Sequence, residues 1–309
     1  MAVPSTSANF ADLLDPRIKK VYNDTYKQLP DRISDFYDVV SGGDAPTKDR
    51  LVLSSVGTFG DVEEHTGTVN YDDVSQQYDV TITPKEYSKG FQIDRKLFDD
   101  DLTGIIDGKP RGMATAFQRT RQKHAASVFN NAFSLDTTWL NHTEGVALCS
   151  DSHTTATQGV STASGFDNRI TAALSAVSVA AARIQMRGYR GDRAERISVM
   201  PDTLLYPVNL YQTAYEIIES EGLPDTANNN KNVHKGGYTG VEWEYLNDTN
   251  DWFMIDSSMM KESLTWVDRV KAEFAQAEDF TTLIARWRLY CRYGLGWNDW
   301  RFVLGSQVS

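Results

Sequence analysis

Residues 282–293 read TLIARWRLYCRY, and this stretch has the strictest pattern in the chain. Apolar and polar positions alternate with a period of two, which is typical of a strand that buries one side. The apolar side is formed by Leu283, Ala285, Trp287, Leu289, Cys291 and Tyr293. The other side carries Arg286, Arg288 and Arg292. The pattern predicts a long antiparallel strand that Gly294, Gly296 and Trp297 bring to an end.

Two helices are predicted upstream of this strand. Apolar residues recur at steps of three and four over residues 109–135 and again over residues 168–187. For the second helix, Asp167 suits the N-cap and Gly188 suits the position after the last turn. Its apolar face is formed by Ile170, Ala173, Leu174, Val177, Ala181 and Ile184.

The remaining elements are shorter. A helix is predicted around residues 208–220, and strands are predicted at 78–82, 196–200, 241–246 and 252–255. Residues 1–49 have few apolar residues and are interpreted as an arm with one or two short helices, which packs on the main body or on another subunit. Together these elements predict an α+β protein with long elements and long excursions.

Composition excludes several classes of protein. The chain has 309 residues and a net charge of −11, so it is a poor general ligand for the phosphate backbone of a nucleic acid. No apolar run approaches the roughly 18 residues that cross a bilayer, and the N-terminus does not resemble a secretory signal. Cys149 and Cys291 are far apart in sequence and are expected to be free, buried thiols without a metal.

No enzyme pattern survives a search of the sequence. Asp151, Ser152 and His153 are the residue types of a hydrolase triad, but adjacent residues rarely converge as a triad does, and a polar turn is preferred. Two acidic stretches, Glu63-Glu64-His65 and residues 99–101 (DDD), have metal-ligand types without metal-ligand spacing. We therefore expect no catalytic, cofactor-binding or metal site.

The order of these segments, together with three short runs, resembles a known family. The runs are QIDRKLFDDD at residues 92–101, ALCSDSH at 147–153 and WNDWR at 297–301. The chain resembles the major capsid proteins of tailed bacteriophages, which have the Hong Kong 97-like fold, and the runs resemble the Mu-like major head subunit branch. The resemblance implies an N-terminal arm (1–49), an extended hairpin loop (50–90), a peripheral domain with a long spine helix (91–167 and 261–309) and an axial domain (168–260).

The function implied by the resemblance is self-assembly into an icosahedral shell around a double-stranded DNA phage genome. The implied partners are further copies in hexamers and pentamers, a separate scaffolding protein, a portal and, as an option, a decoration protein. Packaged DNA would lie nearby without sequence-specific binding, and assembly would occur in the host cytoplasm, without a membrane. The alternatives are an encapsulin-like nanocompartment shell and, less favoured, a cytoplasmic hydrolase using residues 151–153.

A reversal of charge suggests how subunits contact each other. Residues 50–89 have a net charge of −4, whereas residues 109–135 contain five basic residues and no acidic one. Opposite charges on two surfaces favour their association. We therefore expect the hairpin of one subunit to face the long helix of a neighbour, with these candidates for the contact: Glu63, Glu64, Asp72, Asp73, Arg119, Arg121 and Lys123.

Overall fold

The computed structural model describes residues 8–309 except 42–48, 63, 66, 68, 70, 72, 95, 97–104, 223–230, 280, 282 and 283. Within that range, only the backbone is described for residues 8–17, 105 and 278. The helices are α1 (Ala8–Gln28), α2 (Ile33–Phe36), α3 (Ile105–Asn130), α4 (Ala176–Met186), α5 (Tyr211–Glu219) and α6 (Ser257–Ser263), with a 3₁₀ turn at Val208–Leu210. The strands are β1 (Asp38–Ser41), β2 (Leu51–Val56), β3 (Gln76–Ile82), β4 (Lys85–Asp94), β5 (Leu140–His142), β6 (Arg169–Ile170), β7 (Thr203–Tyr206), β8 (Thr239–Glu242), β9 (Trp252–Ile255), β10 (Leu264–Asp279), β11 (Ile284–Trp297) and β12 (Val303–Ser306).

The predicted arginine-bearing strand is β11, and it lies inside a four-stranded sheet of order β1-β10-β11-β4. The prediction of a long antiparallel strand is confirmed, because β11 pairs antiparallel with both β10 and β4. Of the three residues predicted to end the strand, Gly294 and Gly296 lie inside it and Trp297 is its last residue. A Cβ at Gly296 would lie 2.8 Å from Cγ1 of Ile82 in β3, so the glycine serves a close contact between two sheets.

The arm packs on its own subunit. Helix α1 lies against α3, and its Ile18 and Tyr22 side chains are buried. The Tyr22 ring stacks on the Phe274 ring of β10 with 5.2 Å between centroids. Strand β10 belongs to the four-stranded sheet, which is the long sheet of this subunit. Strand β1 then pairs in parallel with the start of β10. The described part of the arm therefore packs on the main body, which is one of the two expected locations.

A second sheet has the order β6-β12-β9-β7-β8, and its buried residues belong to the main core together with those of α4 and α5. All four residues of β7, β9 and β12 are buried, as in strands that are covered on both faces. The predicted strand at 196–200 is wrong, because the strand forms after Pro201 as β7. The predicted strand at 252–255 is confirmed as β9, and β12 pairs antiparallel with it.

The helix predicted over 168–187 is shorter than expected and turns a different face inward. Residues 169–170 form β6, and the N-cap is Ser175, not Asp167. The Ser175 hydroxyl accepts from the Ser178 N–H in a capping box, which satisfies a backbone donor of the first turn. The helix buries Val179, Ala182 and Met186, whereas much of the predicted apolar face is exposed.

A third sheet, of order β2-β3-β5, joins the hairpin to the body. Strands β2 and β3 are antiparallel, as a hairpin requires, and Val80 and Ile82 on β3 are fully buried. Residues 57–75 connect the two strands without regular structure in the residues described there. The hairpin therefore has a fixed base and a long tip.

Candidate inter-subunit surface

The base of the hairpin is attached to its own subunit through Gln77. This side chain is buried, and its amide nitrogen donates to the Thr157 hydroxyl at 2.9 Å. Its amide oxygen accepts from the N–H of Ala156 at 3.0 Å. Tyr78 and Thr154 also share a hydroxyl hydrogen bond of 2.7 Å. Because these bonds join β3 to residues 154–157, they set the direction in which the loop leaves the subunit.

The tip of the loop exposes large apolar side chains. Val62 is fully exposed and Tyr71 is 90% exposed, while Phe59 and Val69 are each almost two-thirds exposed. Single exposed apolar residues are ordinary, but a cluster of them on an acidic loop indicates a surface that is covered by a partner. The loop therefore combines negative charge with apolar anchors.

Arg121, a predicted contact residue, is buried within its own subunit. Its guanidinium donates two hydrogen bonds to the Asp268 carboxylate, at 3.0 and 3.1 Å, and the side chains are only 9% and 10% exposed. It also lies over the Trp266 ring, 4.9 Å from the centroid. Burial alone would lower the pKa of Arg121, but the Asp268 carboxylate, together with Tyr26 and Asp31, outweighs that effect and raises the pKa above its ordinary value. The expectation that Arg121 meets a neighbouring subunit is corrected: this cation holds α3 on the long sheet.

Arg119 and Lys123 remain available. Both are exposed, and their spacing of four residues places them on one face of α3. Arg119 lines a groove of about 150 Å³ between α3 and the edge strand β4. The groove is also lined by Phe117 of α3, Tyr87 of β4 and Leu289 of β11. A basic rim beside an apolar groove suits an acidic loop that carries aromatic and aliphatic side chains.

The predicted acidic partners are only partly placed. Glu63 and Asp72 lie outside the described residues, while Glu64 and Asp73 are exposed on the tip. The backbone carbonyl of Asp73 accepts a hydrogen bond from Arg193 of the same chain. Asp73 is therefore already in contact with its own subunit.

The hydrolase arrangement is not formed at residues 151–153. The His153 ring is buried, with Nδ1 3.1 Å from the Glu144 carboxylate and Nε2 3.2 Å from the carbonyl of Leu148. The Ser152 hydroxyl lies 3.0 Å from that of Ser150. Both nitrogens of the histidine are thus used by other groups, so it cannot act as a base for Ser152 in this conformation.

Two of the runs that carried the resemblance contact each other, which the sequence alone did not predict. The His153 ring stacks on Trp300, with 4.3 Å between centroids and an angle of 8°. The adjacent Arg301 donates to the Asp192 carboxylate at 2.9 Å. The hydrogen bond of His153 lowers the pKa of Glu144 below its ordinary value although burial alone would raise it. The 147–153 and 297–301 segments therefore form one buried structural unit.

The part of the chain that the structure describes offers neither a metal-binding cluster nor a helix suited to span a membrane. The described histidines, cysteines and acidic residues form no cluster suited to a metal ion, and the predicted acidic run 99–101 lies outside them. Cys149 and Cys291 are both free and buried, and burial raises the pKa of the Cys291 thiol to about 11. Among the described helices, none combines the length and apolar character that a membrane span needs.

Comparisons with known proteins identify relatives of this architecture. The model of the phage capsid protein family matches residues 77–305. A search of curated proteins found no match. Among solved structures, the capsid of a native GTA particle has a TM-score of 0.57 at 12% identity, covering 91% of each chain.

Two phage structures are similar to the same extent. The procapsid of bacteriophage JBD30 has a TM-score of 0.54 at 14% identity, covering 98% of this chain and 76% of the other. The mature capsid of bacteriophage PhiM1 has a TM-score of 0.53 at 10% identity, covering 88% and 85%. These matches confirm the α+β, Hong Kong 97-like fold.

Proposed function

The chain belongs to the phage capsid protein family, and we propose that its copies assemble into a shell in which the 57–75 tip of each subunit lies on α3 of a neighbour. As a member of that family it is a shell protein of the virion and acts as one copy among many. An encapsulin-like role and a hydrolase role are not favoured by the family match.

The observation that carries this proposal is the exposed tip of the hairpin. Phe59, Val62, Val69 and Tyr71 are between 63% and 100% exposed in the part of the subunit that is described, while Gln77 holds the base of the loop in place. Covering such side chains contributes roughly 25 cal/mol per Å² of apolar surface removed from water. A loop with a fixed base and an apolar tip is suited to contact a second subunit.

Charge would set the register of this contact. We propose that Arg119 and Lys123 receive the acidic tip, in which Glu64 and Asp73 are exposed and Glu63 and Asp72 are the further candidates. Each exposed ion pair would contribute only about 0.2–1 kcal/mol. Repetition in every copy would make the sum matter, and screening over roughly 10 Å at 0.1 M salt would make assembly sensitive to salt.

The arrangement of domains follows from the same proposal. The arm would be residues 1–49, the loop 50–90, the peripheral domain 91–167 and 261–309, and the axial domain 168–260. Strand β12 of the proposed peripheral domain is hydrogen bonded to β9 of the proposed axial domain, so one sheet joins the two. Hexamers and pentamers would form the shell with a separate scaffolding protein, a portal and, where present, a decoration protein.

The shell would enclose DNA without binding it specifically, and the chain would have no catalytic role. A net charge of −11 is consistent with a wall that does not adhere to the polyanion it surrounds. The buried pairing of His153 with Glu144 and Leu148 supports a structural role for the run 147–153.

Electron microscopy and charge reversal test the proposal. The purified chain should form closed shells, tubes or capsomers, and Arg119→Glu with Lys123→Glu should impair their formation. Glu64→Lys with Asp73→Lys in that background should partly restore it. Arg111→Glu, an exposed change on the same helix, is the matched control. A chain that remains a compact monomer would refute the shell function, whereas normal assembly of the double reversal would refute only the role of these two cations.

A further inference from the structure

Helix α4 has an apolar stripe on its outer face. Val177 and Ile184 are 80% and 75% exposed, and Ala181, also exposed, lies between them. Residues spaced by three and four lie on one side of a helix, so these side chains form a continuous surface. We call Val177, Ala181 and Ile184 the α4 surface.

Helix α5 has a second exposed surface, of aromatic character. Val208, Tyr211 and Tyr215 are each about half exposed, and the two tyrosine rings are 6.2 Å apart. The opposite side of α5 buries Ala214, Ile217 and Ile218. We call Val208, Tyr211 and Tyr215 the α5 surface. Tyrosines that are exposed in this way are typical of protein interfaces.

The two surfaces have opposite electrostatic surroundings. Residues 171–191 around the α4 surface contain Arg183, Arg187 and Arg190 and no acidic residue. Residues 208–222 around the α5 surface contain three glutamates and no basic residue. Glu221 is paired with Lys235 at 3.0 Å, so Glu216 and Glu219 carry the negative charge of this surface. Two α4 surfaces would therefore oppose like charges, and so would two α5 surfaces, whereas an α4 surface and an α5 surface are complementary.

The surfaces cannot meet within one subunit. The segment 231–238 separates the helices: Arg183 on α4 donates to the Tyr238 hydroxyl at 3.4 Å, while the Asn232 amide donates to the carbonyl of Ile217 on α5 at 2.8 Å. We infer that the α4 surface of one subunit packs on the α5 surface of a second copy of this chain, head to tail. This inference rests on the proposed shell function and names the contact between adjacent subunits. A contact between two different surfaces closes into a ring when the rotation permits.

Complementation between two charge variants tests the inference. Val177→Asp with Ile184→Asp places carboxylates opposite the glutamates of α5, and Tyr211→Lys with Tyr215→Lys places cations opposite the arginines of α4. Each variant alone should lose the oligomers that native mass spectrometry detects for the wild-type chain. Their equimolar mixture should recover them, because each remaining junction is either unchanged or joins opposite charges. Rings from the mixture alternate the two variants and should contain even numbers of subunits.

The controls separate this contact from the function itself. Leu135→Asp places a carboxylate at another exposed apolar position and should leave the oligomers unchanged. If circular dichroism shows that the aspartate variant unfolds, Ile184→Ser replaces it and should weaken association about tenfold. Oligomers that persist in both variants, a mixture that does not recover, or loss in only one variant would overturn the head-to-tail contact while leaving the shell function standing. A monomeric wild-type chain would overturn both.

Discussion

Replacing Arg121 by methionine should destabilise the subunit strongly, although the residue lies only two positions from exposed Arg119. Methionine keeps much of the length and apolar stem of arginine but leaves the Asp268 carboxylate without its cation. That carboxylate is about 10% exposed, and its remaining partner is Nε1–H of Trp266, which donates to it at 2.9 Å. A charge left in this position is poorly hydrated and only partly compensated.

The size of the effect follows from these contacts. Removing one partner of a buried ion pair typically costs about 3–5 kcal/mol, because the other charge stays buried. Loss of the cation–π contact with Trp266 places the variant in the upper part of that range. A second change, Asp268→Asn, removes the stranded charge and keeps an oxygen that can accept from Trp266. The double variant should therefore recover about half of the loss or more.

Urea unfolding of unassembled subunits measures these differences, since guanidinium would screen the charges under study. At 1.4 kcal/mol per factor of ten, Arg121→Met should reduce the folding equilibrium constant by about two to four powers of ten. Arg119→Met, an exposed change on the same helix, should stay within about 0.5 kcal/mol of the wild-type chain. The reasoning is refuted if Arg121→Met costs no more than Arg119→Met, or if Asp268→Asn adds to the loss in the double variant.

Three further changes test other parts of the fold. Gly296→Ala should lower the free energy of unfolding in urea by about 1–3 kcal/mol, because the new methyl group has no room against Ile82. Gly112→Ala in α3 is the control: a Cβ there would meet no atom of another part of the chain within 4 Å, so this change should stabilise by up to about 1 kcal/mol. Equal effects of the two changes would contradict the packing argument. Asn168→Ala should lower the free energy of unfolding by about 2–4 kcal/mol in the same assay, because the buried amide links β12 to the 148–150 loop. A loss below about 1 kcal/mol would show that the link is dispensable. Burial lowers the pKa of His142 below its ordinary value, so the imidazole takes up a proton in the unfolded chain before it does so in the folded one as pH falls below about 6.5. The folded state therefore loses stability on acidification, and His142→Gln should reduce the pH dependence of the thermal midpoint between about pH 7.5 and 5.5. An unchanged slope would rule out this contribution.

The sequence predicted the elements that bury one continuous face along their whole length, because such a face gives a regular hydrophobic period. The alternation of β11 and the period of α3 follow from one long buried face each, so the hydrophobic pattern identified both. Arg121 was wrongly predicted to contact another subunit, because the prediction considered its charge and not its position on the helix. It lies four residues after Phe117 and four before Ala125, both buried, so the helical period contained a signal that it faces the core.

Other features depend on neighbours that no local pattern reveals. Gly294 and Gly296 resembled a strand end, but the packing of a second sheet at Ile82 requires them inside β11. The stripe on α4 was predicted to be buried and is exposed in the subunit, because Val179 and Met186 face the core instead. Periodicity shows that a face is apolar but does not show which chain covers it.

The position of β12 has a consequence for how each copy becomes competent to join a shell. This strand is the last of the described strands to leave the ribosome, yet it lies between β6 and β9 in the order of hydrogen bonds. A nascent chain that has not reached residue 303 leaves an open edge on β9, and sheet pairings this distant in sequence are slow to form. Chains that stop before residue 303 should therefore tend to aggregate instead of assembling, because the open edge of β9 can pair with other chains.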